Sequence, residues 1–449
     1  MRPVRAKTNI VRQAERLRRG EINRRRFIMS ALATGVTLPT ATSLAQKAQA
    51  AQPKSGGTLR FGIATADRLA EVRAMATGNT LLQMDPTGAL MGDLARGFEA
   101  TDQGRIWAFD LHPDAVFSTG APVDADVVVA SLTGQSTPGL QGQVAEVRAD
   151  GPKKVIIELV RPNSDFAWVL TDPDLTVKDP TGVGSGAYVP SPDQRHLRRL
   201  SDRWGAGQGH FDAIDLIALP DPAERLNALL NGEVDLIDDV DPRTFGLLAN
   251  TPDIKLAETE AASVFGLIRQ PGTAPDVGRA LSDVTDRRDL AQKVLLGHGR
   301  QQGCSGCRRR AELDAPITLG AERHAFPGSS EFVDLIARMA KDKGLPVIAA
   351  NPSHFKAQRL RLRPTLDWTL AELLAHLPSP DLAALVDQAR ANTSADEKAA
   401  LRTRALQVLE DQGDLFPLIA NDIHAHRATL HHPDGPFDAY RIVTRGWFE

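Results

Sequence analysis

The sequence predicts a layered α/β protein of two or three domains, and three observations carry that expectation. At 449 residues the chain is long enough to bury several cores. Its composition, 42% hydrophobic and 24% charged, lies near the globular average, which argues against a disordered chain and against a polytopic membrane protein. Strand-like segments alternate with segments of helical periodicity after residue 56. Alternation of this kind builds sheets covered by helices, with ligands collecting beyond the carboxyl ends of the strands.

The first fifty residues read as an export signal. They hold eleven Lys/Arg and two acids, Glu15 and Glu21, which leaves 42 basic against 54 acidic side chains, net −12, on the other 399 residues. An acidic body is a poor partner for a polyanion, so nucleic-acid binding is excluded. Arg24-Arg25-Arg26-Phe27-Ile28 fits the twin-arginine pattern, with Arg24 and Arg25 as its pair. The stretch Phe27 to Leu44 behind it is diluted by Ser, Thr, Gly and Pro and is too polar for a spanning helix. Ala48-Gln49-Ala50 is a small-x-small site, with cleavage expected after Ala50. The competing reading is a basic amphipathic helix or an uncleaved anchor. No Cys follows the site, so a lipid anchor is not indicated. The expected product is a soluble periplasmic protein, starting near Ala51 and carried out by the twin-arginine translocase.

Each later element has a local reason. Thr58 to Ile63 reads as a strand opened by Gly56-Gly57, Ile106 to Leu111 as a second, and Lys154 to Val160 as a third between Gly151-Pro152 and Arg161-Pro162. Asp124 is placed to cap a helix carrying Val127, Val128 and Leu132. Asp221-Pro222-Ala223-Glu224 opens another, with Leu226, Leu229 and Leu230 as its apolar stripe and Gly232 as its stop, followed by a strand over Val234 to Ile237. Ser394 and Glu397 open a helix that buries Leu401, Ala405, Val408 and Leu409 before Gly413.

The two cysteines, Cys304 and Cys307, form a C-x-x-C in a Gly-rich turn. In an oxidising compartment a local disulfide is expected. A metal site would need two more ligands, and a redox pair would want a helix N-terminus behind the first Cys.

Several segments, in order, resemble one family. They are Gly56-Gly57-Thr58-Leu59-Arg60, Asp93 to Glu99, Trp107 to Leu111 with Val116-Phe117, Gly120, Pro122 and Ala125-Asp126-Val127, then Gly184-Ser185-Gly186-Ala187-Tyr188, Asn231 to Asp235, and Asp286-Arg287 with Gly297. Together they are similar to the large periplasmic solute-binding proteins of ABC importers, family 5, which serve peptides, nickel and opines. Trp447 fits that family's C-terminal pattern. The resemblance implies a two-lobed periplasmic binding protein fold of class II type with a discontinuous first lobe. Lobe one would span 51–265, with a subdomain at about 96–180, and return at 420–449. Lobe two would be 266–419, shortened after Cys307. Val264 to Ile268 and Leu418 to Ala425 would cross between them. The implied function is to bind a peptide or other small polar solute in the inter-lobe cleft without chemical change. The implied partners are an ABC permease and ATPase, with the binding protein a monomer that needs no resident cofactor.

Candidate ligand groups follow from the same frame. Asp367 and Trp368 loosely match the family's ligand-binding segment, against the alternative of a helix cap beside a packed indole. Arg269, after a crossing strand, could fork onto a carboxylate. His424 and His426 alternate on one strand face, with His431 and His432 nearby, which makes a bound metal such as nickel a second expectation. A carrier or sensor of a nickel complex or haem, uncoupled from an importer, is therefore the alternative function. A hydrolase comes third, because no G-x-S-x-G, H-E-x-x-H, P-loop or dinucleotide fingerprint is present and no catalytic residue is named.

Overall fold

The computed structural model describes residues 24–33, 53–85, 88–135, 137–201, 204–205, 208–303, 316–320, 325–349, 353–391, 394–432 and 439–449. Cys304, Cys307 and the Ala50 cleavage site lie outside these residues. Arg24 and Arg25 open a short helix, Arg24–Ala33. No helix among the described residues is long and apolar enough to cross a membrane.

Among the described residues one mixed sheet of eleven strands organises the molecule. At its centre Thr58–Ile63 runs parallel to Ala213–Ala218 on one side and Leu236–Ile237 on the other. Leu59, Phe61 and Ile63 alternate onto one face of this strand and are all buried, whereas on the other face Thr58 is exposed, Arg60 half-buried and Gly62 buried. Beyond Leu236–Ile237 lie two long strands, Leu415–Arg427 and Ile254–Arg269, and then Phe355–Arg361, Ile317–Leu319 and Val347–Ala349.

The two long strands make the molecule two-lobed. Ile254 to Thr259 pairs with Asp422 to Arg427 in the first lobe, and Ser263 to Leu267 pairs with Leu415 to Ala420 in the second. Between them the register shifts at a bulge, where Ala261 takes a left-handed φ of 49° and its N–H donates to the Asn421 side chain at 2.9 Å. The crossing therefore sits at Thr259–Ser263 opposite Ala420–Asp422, a few residues ahead of the Val264–Ile268 segment expected from the pattern. Strand-like sequence continues on both sides of the bulge and reads as one strand, so the sequence does not mark the pivot.

Each lobe has its own cores. Leu59, Phe61, Val72 and Phe211 belong to the first, and Phe265, Leu281, Phe332 and Ile336 to the second. A separate four-stranded antiparallel sheet, Ala95–Thr101, Ile106–Leu111, Lys154–Leu159 and Val144–Ala149, carries a core that runs from Leu81 to Val177. Trp368, which is remote in sequence, enters this core from the second lobe.

Local signals behave as capping chemistry dictates. Asp221 accepts from the N–H groups of Ala223 and Glu224, and Gly232 ends that helix at φ 76°, a conformation glycine adopts without strain. Ser394 accepts from Glu397 N–H and opens Ala395–Asp411. Two expectations are corrected. Asp124 precedes its helix but caps nothing, because its carboxylate turns to Lys153 at 3.1 Å. Leu230 is exposed, since only Ala228 and Leu229 of that turn face the core.

Candidate ligand-binding cleft

The cleft begins at the carboxyl end of the central strand. Thr65 caps helix Ala66–Thr77 by accepting from Arg68 N–H, which sets Arg68 and Glu71, one turn apart, toward the second lobe. The opposite wall is Phe355–Arg361 and its continuation. Alternation along an extended chain puts Leu360 and Leu362 against the second lobe's core and Arg359, Arg361 and Arg363 on the other face.

These arginines meet carboxylates. Arg359 donates to Asp239, to Asp422 and, through Nε, to Ser263 Oγ at 2.9 Å. Arg361 forks onto Glu71, Nη1 to Oε1 at 3.2 Å and Nη2 to Oε2 at 2.8 Å. Arg363 pairs with Glu372 at 2.7 Å and lies 4.8 Å over the Trp368 ring. Arg68 reaches Asp422 at 3.0 Å.

Burial decides how these acids titrate. Burial alone would push Asp422 up, but the charges of Arg359 and Arg68 outweigh it and hold its carboxyl at about 2. For Glu71 burial wins over Arg68 and Arg363, and the carboxyl is pushed up to about 7. Asp172 is pushed up to about 6, mainly by burial. Asp238, fully buried, is raised by desolvation and by the neighbouring Asp239 charge.

The Glu71 shift has a measurable consequence. An acid raised from 4.5 to about 7 binds more protons folded than unfolded, so its contribution to stability is full below pH 4.5 and is lost as pH rises through 7. Glu71→Gln should flatten this dependence. The fall in Tm between pH 5 and pH 8 is expected to be smaller in the variant than in the wild type, and an unchanged pH profile would contradict the assignment.

Two cavities open between the lobes, of about 490 Å³ and about 450 Å³. The smaller is walled by Arg68, Glu71, Arg361, Arg363, Trp368 and His424, among others. Its charges are of both signs, which suits a zwitterion better than a polyion.

The structure separates the expected site residues. Trp368 and His424 line the smaller cavity. Asp367 lies beneath it, inside the first turn of helix Leu366–His376, where it accepts from Asn163 of the first lobe at 3.0 Å. Its Oδ1 is buried without a hydrogen bond. Arg269 lines neither cavity. Its guanidinium donates to the carbonyls of Gln412 and Thr273, and its N–H donates to Asp414 at 2.8 Å, so it ties a loop of the second lobe. His426 is buried, bonded through Nδ1 to the Arg427 carbonyl at 2.9 Å, and burial pushes its ring down to about 4. Among the described residues no group of three or more His, Cys, Asp or Glu is placed to hold a metal ion.

Arg68, Glu71, Arg361, Arg363 and Asp422 were not read from the sequence. The alternation Arg359-Leu360-Arg361-Leu362-Arg363 is the signal that could have found the arginine wall. Read alone, it equally describes a solvated strand face.

Comparison with known proteins agrees with this geometry. Residues 89–303 match the family described as bacterial extracellular solute-binding proteins, family 5 middle. The probable D,D-dipeptide-binding periplasmic protein of Escherichia coli K12 is 23% identical over 239 residues, 47% of this chain and 46% of that protein, so the alignment spans about half the length of this curated relative. A dipeptide-binding protein from Pseudoalteromonas sp. SM9913, in complex with Met-Leu, superposes with a TM-score of 0.76 at 14% identity, covering 88% of this chain and 100% of that one. A periplasmic binding protein from Agrobacterium tumefaciens R10, in complex with agropinic acid, gives 0.70 at 17% identity, covering 88% and 99%. The nickel-complex protein NikA of Staphylococcus aureus gives 0.72 at 14% identity, covering 88% and 100%. The chain thus matches the family-5 solute-binding model over its middle segment and shares the two-lobed fold of these solved structures.

Proposed function

We propose that this protein is the solute-binding component of an ABC importer. Exported by the twin-arginine route, it holds a peptide or other small polar solute between its lobes and passes it unchanged to a permease and its ATPase, acting as a monomer. The observation that carries this reading is the crevice itself. Helix Ala66–Thr77 from one lobe and Phe355–Arg363 from the other converge on shared cavities across two bulged strands. Such a geometry lets a ligand that touches both halves favour the closed form. The names of the relatives, a D,D-dipeptide binder and a Met-Leu complex, point toward short peptides.

A thermal-shift panel on the mature protein tests the proposal, with di- and tripeptides, opines, haem, and Ni²⁺ with and without chelators. A peptide or opine at a hundredfold excess over its Kd is expected to stabilise the fold by about 2.7 kcal/mol, read as a rise of a few degrees in Tm. Mass analysis should recover the solute intact, and a product instead would make the protein an enzyme. His424 on the cavity wall favours the second reading, a carrier of a nickel complex. A shift with chelated Ni²⁺ and none with peptides would select it.

A further inference from the structure

The two cavities adjoin at one place. Arg68, Glu71, Ala261, Arg361, Leu362 and Arg363 belong to the walls of both. What joins the lobes there is the two-pronged pair between Arg361 and Glu71, whose side chains are 27% and 19% exposed. Its flanks are stiffened on both sides. Arg68, 3.6 Å from Glu71, is held by Asp422, and Arg363 is held by Glu372. Each compartment alone, about 490 Å³ or about 450 Å³, has the volume of a small-molecule pocket.

We infer that the Arg361–Glu71 pair is a bar dividing the crevice into two compartments, and that it sets the length of solute the protein accepts. A short peptide fits one compartment with the bar intact. A longer one, spanning both, must pull this half-buried pair apart and leave two polar groups without their hydrogen-bond partners, which is costly in a poorly hydrated site. This inference rests on the solute-carrier reading above, and it names the residues that select among solutes of that class.

Isothermal titration calorimetry with alanine peptides of two to six residues tests it. The wild-type protein is expected to bind the two- and three-residue peptides at least about tenfold more tightly than the five- and six-residue ones. Arg361→Ala/Glu71→Ala removes both charges together, so neither is orphaned, and the preference should collapse or reverse. Glu71→Gln, of the same shape without the charge, should fall between. If the double variant shows no cooperative thermal transition, Glu71→Gln decides, and its profile must shift toward longer peptides. A wild type without a preference for short peptides, or one length profile shared by all the folded proteins, overturns the bar and leaves the carrier reading standing. Failure of every peptide to bind any of the proteins overturns the peptide reading and the bar together.

Discussion

Replacing Asp422 by alanine is expected to cost the fold about 3–5 kcal/mol, the usual range for removing one partner of a buried ion pair. Asp422 stands on the crossing strand, and its two oxygens serve both lobes: one accepts from Arg359 and from Ser263 at 3.2 Å, the other from Arg68 at 3.0 Å. Without it, Arg68 keeps Glu71 at 3.6 Å, and Arg359 keeps Asp239. Two guanidiniums then remain desolvated with less to compensate them. Urea denaturation should show a lower midpoint with an unchanged slope. An unfolding free energy within about 0.5 kcal/mol of the wild type would mean that the hub contributes little. The pH dependence provides a second check. A carboxyl depressed from 3.8 to about 2 contributes stability that is complete above pH 3.8 and is lost as pH falls through 2. The variant should therefore lose the wild type's extra acid sensitivity in that window.

Trp368→Ala is expected to cost about 3–5 kcal/mol, the range for emptying the space of a large buried aromatic. Its indole is 2% exposed and packs in the core of the four-stranded subdomain. The fit is close enough that a Cβ on Gly139 would lie 3.2 Å from the ring. The residue also lines the smaller cavity, so its loss removes a wall of the candidate site and the packing that holds the second lobe to the subdomain. Trp368→Phe should recover some of the stability, because most of the apolar contact survives. Equal losses for Phe and Ala would show that the indole's contact with Arg363 matters more than its volume.

These two residues show where sequence reasoning stops. Capping and turn signals are local, so Asp221, Gly232 and Ser394 could be assigned from their neighbours alone. The order of strands and helices around Thr58–Ile63 follows for the same reason. Charged side chains are different, because their roles depend on what faces them across the fold. Arg269 and Arg361 both end strands, yet one is occupied by backbone carbonyls of its own lobe and the other reaches Glu71, 290 residues away. His424 and His426 share a strand, but of the two it is His424 that lines the smaller cavity. Asp367 and Trp368 are neighbours in sequence, and the structure splits them into a buried partner of Asn163 and a cavity wall. The arginine wall could be seen as a pattern of period two. Its acidic counterparts lie on a helix, a loop and a crossing strand that no single stretch of sequence brings together.

The bulge at Ala261 has one more consequence. Residues 263 and 420, where the chain enters and leaves the second lobe, are rungs of the same ladder. The whole intervening segment is thus a cassette whose ends are already side by side. Trimming or exchanging it would leave the host sheet's register intact, but any replacement would have to supply again the Trp368 that fills the subdomain's core and the arginines that pair with Asp239, Asp422 and Glu71.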